Sequence, residues 1–256
     1  MLRSEYTEAM EKLQKTNPDL YKILHNHTSE ITKEMSQAAH SILNMISFIN
    51  CSYQYISKAY PEAANFEYWK DVQTSLSQLI DYANRTSTYR YSFYEPKLKT
   101  TDLNQLLHSL PAYLDNCTND DYSFKYHLAI RQWNYSLDAR ITNIITDKYQ
   151  LKAALLELMR NGVESAPTDA PIRISSKLLD SNSFAVSVSY TSGDSTAIIE
   201  NTKEQLIQPF FTTKEDHAGL GLSIVNNICQ KLKGSFSMNF QNDVVTNTIE
   251  LPLFQQ

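Results

Sequence analysis

Apolar residues at Ile31, Met35, Ala38, Ile42, Met45, Ile46, Ile49, Tyr53 and Ile56 recur in steps of mostly three and four. That spacing puts them on one face of a helix from about Thr28 to Tyr60. A shorter helical pattern runs from Ser4 to Gln14, and Asn17-Pro18 punctuates between the two. Pro61 ends the long run, because proline cannot continue a helix without losing a hydrogen bond. After Pro61 to Asn65 a second pattern runs from about Phe66 to Tyr91, with Trp69, Val72, Leu76, Leu79, Ile80 and Ala83 on its apolar face. Two long helices joined by a short loop predict an antiparallel hairpin. A lone hairpin buries little, so the expectation is a homodimer that closes a four-helix bundle.

The rhythm changes after Pro96, where Lys97 to Thr101 reads as a linker. Asp102 is placed to cap a helix from Leu103 to Leu114. Phe124 to Ile130 and Arg140 to Ile145 read as strands, and Lys148 to Ser165 as a helix. Ile172 to Leu179 and Phe184 to Tyr190 alternate polar and apolar around an Asp-Ser-Asn turn, a hairpin signal. Leu222 to Leu232 is helical and ends at Gly234, read as its cap. Ser235 to Phe240 and Thr246 to Leu251 predict another hairpin. The expected class is α+β: a helical hairpin over residues 1–95, then an α/β sandwich over 96–256.

Composition narrows the function. The 256 residues are 42% hydrophobic and 20% charged, which suits a folded globular chain. A net charge of -5 argues against a general nucleic-acid binder, which needs a basic face. No apolar run approaches the ~20 residues that cross a bilayer, so no membrane insertion is expected in this chain. Cys51, Cys117 and Cys229 lack metal-ligand spacing and read as reduced thiols of a cytoplasmic protein, or of the cytoplasmic part of a longer one.

Two elements carry chemistry. On the helix Lys148 to Ser165, Glu157 and Asn161 are one turn apart on one face. A carboxylate and an amide oxygen so placed suit Mg²⁺, with Asn161 as ligand and Glu157 holding a metal-bound water or orienting the attacking group. Gly219-Leu220-Gly221-Leu222 opens an amphipathic helix, and free N–H groups at a helix start bind phosphate. Only five glycines occur, and two stand in this one turn.

With these motifs in hand the chain resembles the two-component sensor histidine kinases. Their catalytic domain has the Bergerat-type ATPase fold, shared with gyrase, heat-shock chaperones and mismatch-repair ATPases. Glu157 to Asn161, continuing to Ala166, is similar to the family's N box. Gln208 to Lys214, Gln-Pro-Phe-Phe-Thr-Thr-Lys, resembles its F box, and Gly219 to Leu222 its second glycine box. The resemblance implies bound ATP and Mg²⁺. It implies cofactor contacts from Asn161, Thr213, Lys214, Gly219, Leu220, Gly221 and Leu222, and a short lid from Lys214 to Gly219. It implies a phosphoacceptor histidine on the first hairpin helix; His40 and Asn44 have the family's four-residue spacing. Imidazole suits that role because its neutral nitrogen is nucleophilic near pH 7. The implied partner is the receiver domain of a response regulator.

Two boxes depart from the family pattern. Tyr190 falls near where the family places the Asp that reads the adenine amino group; Gly193 and Asp194 follow it. Ser41 stands where an acidic residue usually follows the histidine, and Met45 where a proline follows the asparagine. Three activities therefore stay open. One is an ATP-dependent histidine autokinase using His40, Asn44 and Glu157. Another is a catalytically weak or inactive relative acting as phosphotransfer or docking scaffold. The third is a Bergerat-type ATPase or serine kinase.

Overall fold

The computed structural model describes residues 9–10, 12–119, 132–193, 202–214 and 217–253. The chain divides into two compact units, Met1–Ser52 and Tyr53–Gln256. Helix α1, Pro18–Ala59, belongs mostly to the first unit. It starts ten residues before the expected Thr28, because Asn17 caps it. The Asn17 side-chain oxygen accepts the Leu20 N–H at 3.1 Å, and proline follows at the first helical position, where it needs no donor. The apolar period misses this extension because Leu20, Ile23 and Leu24 are exposed there. Within this unit Ile46 and Asn50 are buried, while Ile42, Met45, Phe48 and Ile49 stay exposed.

The second unit opens with the end of α1. Tyr53 stacks on Trp69 at 4.4 Å between ring centroids, and its hydroxyl donates to the Trp69 carbonyl at 2.9 Å. A 3-10 turn at Pro61–Asn65 and a left-handed Tyr68 (φ 64°) delay the second helix, α2, to Trp69–Tyr91. The expected linker is part strand: β1, Lys99–Asp102, pairs antiparallel with β3, Asn143–Thr146. Between them lie helix α3, Leu103–Asn119, and strand β2, Trp133–Ser136. Asp102 caps α3 as expected, its carboxylate accepting the Gln105 N–H at 2.9 Å. The expected strand at 124–130 lies outside the described residues. No sequence signal marked β2, a four-residue strand.

Helix α4, Lys148–Ser165, has the expected bounds, and Asp147 caps it by accepting the Tyr149 and Gln150 N–H groups. Strands β4, Ile172–Leu178, and β5, Ser183–Thr191, form the first expected hairpin. A one-turn helix, α5, Lys203–Leu206, precedes helix α6, Gly221–Lys231. Strands β6, Ser235–Gln241, and β7, Val244–Pro252, form the second hairpin. At the end of α6 the structure corrects the assigned cap: Lys233 takes the left-handed conformation (φ 58°), and the Gly234 N–H reaches back to the Cys229 carbonyl at 2.8 Å.

The main sheet has the order β2-β4-β5-β7-β6, with β2 and β4 parallel and the other pairs antiparallel. Helices α3, α4 and α6 pack on it through one continuous core that includes Leu107, Leu155, Ile228, Ile174, Val186 and Ile249. This is the expected α/β sandwich, a layer of helices over a layer of strands. Among the described residues, no helix is long and apolar enough to cross a membrane.

Candidate active site

Helix α4 supplies one wall of the site and the start of α6 the other. Gly221, the first residue of α6, faces the middle of α4. A Cβ there would stand 3.1 Å from Glu157 Oε2 and 3.8 Å from Asn161 Oδ1. The Glu157–Asn161 pair and the glycine turn, 60 residues apart in sequence, thus meet at one place. Gly219 is needed for a different reason. Its φ is +63°, and a Cβ would press into the backbone of Phe210 and Phe211 at 2.6–2.9 Å. The F box therefore braces the glycine turn from behind. Leu220 is fully buried in the core and Leu222 packs partly against it. Both expected cofactor-contacting leucines thus carry side chains that hold the turn onto the sandwich. Thr213 is exposed, beside a small turn in which Thr212 Oγ1 accepts the Lys214 N–H at 3.1 Å.

The site also contains charged residues that motif spacing did not bring forward. Glu164, one turn past Asn161 on α4, is a junction. Its Oε1 accepts from Arg85 Nη2 at 3.2 Å, and its Oε2 from Lys214 Nζ at 2.8 Å, with His217 Nε2 at 3.3 Å. Burial opposes ionisation of Glu164. The hydrogen bond from His217 and the charges of Lys214 and Arg85 outweigh it and hold the carboxyl well below the usual range. Lys214 and His217, from the expected lid, are thereby fastened to the helix that carries Asn161; residues 215–216 lie outside the described residues.

Arg85, on α2, reaches into the same cluster. Its Nε donates to Asp81 at 2.8 Å, its Nη1 to Glu157 Oε2 at 3.4 Å and its Nη2 to Glu164. Glu157 is also held by Arg160 Nη1 at 3.2 Å. The only sequence signal was Arg85 itself, a long cation four residues after Asp81 on a helix, a spacing common on solvated faces.

Tyr190 sits at the end of β5 and is 6% exposed. Burial, together with the nearby Glu164 charge, pushes its phenol up to about 12. This neutral hydroxyl therefore stands where a carboxylate was expected. Asp194, which follows Gly193, lies outside the described residues. His40 and Asn44 are both exposed on α1, with Asn44 Nδ2 and His40 Nδ1 3.2 Å apart. The Ser41 hydroxyl instead donates to the Gln37 carbonyl at 3.0 Å, so it is spent on its own helix.

The donor set fits a magnesium nucleotide in one half and not in the other. Asn161 and Glu157 offer hard oxygens beside the start of α6, where no side chain caps the helix, which suits Mg²⁺ and phosphate. Where the resemblance expects the adenine-reading carboxylate, Tyr190 offers a phenol instead.

Residues 146–255 match the family of histidine kinase-, DNA gyrase B- and HSP90-like ATPases. Over 241 residues the chain is 25% identical to sporulation kinase C of Bacillus subtilis, covering 92% of this chain and 51% of that protein. Over 220 residues it is 25% identical to the sensor histidine kinase ZraS of Salmonella typhimurium, covering 84% and 44%. The chain thus spans about half the length of the curated relatives it matches. The fold is similar to full-length ShkA in complex with AMPPNP, with a TM-score of 0.65 at 16% identity over 88% of this chain and 46% of that one. It is also similar to the histidine kinase ThkA in complex with the response regulator protein TrrA, with a TM-score of 0.57 at 20% identity over 95% and 66%. With the Glu157–Asn161 helix, the Phe210–Phe211 segment and the glycine turn meeting at one place, residues 146–255 match the ATPase domain of this family, and the chain around them is similar to two-component sensor histidine kinases.

Proposed function

We propose that the chain is the core of a signalling autokinase that moves a phosphoryl group from ATP to His40 and then to an Asp of a response regulator. The observation that carries this is the convergence of Glu157 and Asn161 on Gly221, a metal-and-phosphate cradle on the fold expected for it. Mg²⁺-ATP, when bound, would supply its γ-phosphoryl group and leave as ADP. Asn161 would ligate the metal, Glu157 would hold one of its waters, and the α6 N–H groups at Gly221 and Leu222 would hold phosphate oxygens. Lys214 and Thr213 would add contacts to the phosphates. Asn44 would orient the His40 ring, and attack would come from the ring nitrogen that carries no proton. Residues 1–95 serve as the dimerisation and phosphotransfer region, and 96–256 as the catalytic domain. Exposed Ile42, Met45, Phe48 and Ile49 form an apolar surface suited to a second copy of the chain.

The test is incubation of the full chain with γ-labelled ATP and magnesium. Label that is stable to base, labile to acid and lost in His40→Gln is the expected result. Label that persists in His40→Gln removes His40 from the role, and label stable to acid rules out phosphohistidine.

A second reading rests on Tyr190 and on the two guanidinium groups that engage Glu157. In it the ATPase domain is a scaffold, and His40 exchanges phosphoryl groups only with a receiver domain. Absence of Mg²⁺-ATP binding at millimolar concentration, with label passing from a phosphorylated receiver domain to His40, would select this reading.

A further inference from the structure

Arg85 lies outside the matched ATPase region, yet its guanidinium is among the most enclosed charged groups of the described residues, with a side-chain exposure of 4%. Its three nitrogens are directed at three carboxylates: Asp81 on its own helix, and Glu157 and Glu164 on α4. Its Nη1 stands 3.8 Å from the point a Cβ on Gly221 would occupy, beside Asn161 Oδ1 at the same distance. This cation therefore occupies the place next to Glu157 and the α6 start where the proposed metal and phosphates would come. We propose that Arg85 is a clamp that holds α2 onto the nucleotide cleft and competes with the magnesium nucleotide for Glu157. The proposal rests on the nucleotide reading given above.

Charge and geometry support competition over cooperation. Arg85, Arg160 and Lys214 pair with Asp81, Glu157 and Glu164, so the described cluster is balanced without a metal. Glu157 accepts from one guanidinium group on each oxygen, and Arg85 Nη1 stands on Oε2, the oxygen nearest Gly221, so a metal-bound water would have to share that oxygen with Arg85 or displace it. A fork that reaches three carboxylates at once is a geometry that lysine cannot reproduce. Because two of those carboxylates belong to α4, giving up Glu157 loosens α2 as well as freeing the cleft. The binding-competent state is thus the one with Arg85 released, and apparent affinity is lowered by the fraction still clamped.

The experiment compares the full-length wild type with Arg85→Ala and Asp81→Asn. Asp81 is part-exposed, steadies the Arg85 fork at 2.8 Å and lies 3.7 Å from Arg160, so its substitution loosens both guanidinium groups that engage Glu157 without altering Glu157 itself. Titration with AMPPNP in the presence of magnesium should show tighter binding by about tenfold for Arg85→Ala and a smaller gain for Asp81→Asn. Hydrogen exchange without nucleotide should show residues 69–91 losing protection in both variants; adding the magnesium nucleotide to wild type should produce the same loss. Weaker or unchanged affinity in Arg85→Ala, with the fold intact by circular dichroism, overturns the clamp in favour of a phosphate-binding or packing role. If no protein binds nucleotide at millimolar concentration while α2 still loosens in the variants, the nucleotide reading and the competition fail and the clamp alone stands. If α2 does not loosen, the clamp fails whatever the nucleotide does.

Discussion

The ring of Tyr190 lies against Gly162 of the N-box helix: a Cβ at 162 would stand 3.0 Å from Cδ1 of Tyr190. A bulky aromatic thus ends the strand where a short carboxylate would read a base. A carboxylate there accepts a hydrogen bond from the adenine amino group, and guanine offers no such donor at that place. Wild type should therefore separate ATP from GTP poorly, and Tyr190→Asp should favour ATP by about ten- to hundredfold, the range of a charged hydrogen bond. Competition binding with both nucleotides checks this. The substitution also removes a buried ring and should lower stability by about 3 kcal/mol. Unchanged selectivity would show that residue 190 does not face the base.

The same side chain makes a spectroscopic prediction. Its phenol is pushed up to about 12 from the ordinary 10, so the folded protein holds that proton more tightly than the unfolded chain. The associated stability is whole below pH 10 and is lost as pH rises toward 12. Ultraviolet titration of phenolate should show a late component near pH 12, absent in Tyr190→Phe.

Glu164 predicts the opposite pH response. Its folded pKa is held down by His217, Lys214 and Arg85 against the opposing effect of burial, so its ionised form stabilises the fold. That contribution is present above the unfolded carboxyl value, about 4.3, and is lost as pH falls toward the lower folded value. Glu164→Gln leaves Arg85 short of a buried partner and should cost about 3 kcal/mol in urea unfolding at pH 7. The difference between variant and wild type should shrink as the pH is lowered. A gap that stays constant with pH would mean that the loss is one of packing.

Gly219→Ala tests the turn itself. The left-handed backbone costs about 1–2 kcal/mol for alanine, and the added carbon meets the Phe210 and Phe211 backbone. Affinity for a magnesium nucleotide should fall at least about tenfold, while the far side of the sheet keeps its exchange protection. Retained affinity would remove this turn from the phosphate site.

Burial pushes the Cys229 thiol up to about 12, whereas Cys51 is exposed. Iodoacetamide at pH 8, read by peptide mass, should modify Cys51 in the native protein and reach Cys229 only after unfolding. Native labelling of Cys229 would contradict its place in the core.

Much of this architecture was legible in the chain. The period of the apolar residues gave α4 its bounds, and alternation gave the two hairpins of the main sheet. Gly219 and Gly221 were legible because a phosphate-binding turn needs that residue type. What escaped was set by distant partners. β1 reads as a polar linker and becomes a strand only by pairing with β3. β2 is four residues long, too short for alternation to show. Arg85 and Glu164 read as an ordinary helical cation and anion, and they become part of the site only when α2 lies beside α4. Tyr190 reads as a departure from the family pattern, but its packing on Gly162 is set by the fold.

Asp147 does more than cap a helix. One of its oxygens receives the N–H groups that open α4, and the other receives the Lys97 N–H at 2.7 Å, on the segment leaving α2. Gln150 Nε2 donates to the Tyr94 carbonyl on that segment at 2.9 Å, and Asn227 of α6 reaches Ser92 at 3.2 Å. The exit of α2 is thus riveted to the start of the N-box helix, and Arg85 rivets α2 again near that helix's far end. So fastened, the lower part of α2 and the catalytic sandwich turn as one splint, and bending falls on the N-terminal side of Arg85. Undoing the Arg85 rivet alone would carry the pivot about two helical turns along, to Ser92, and lengthen the lever arm by that amount.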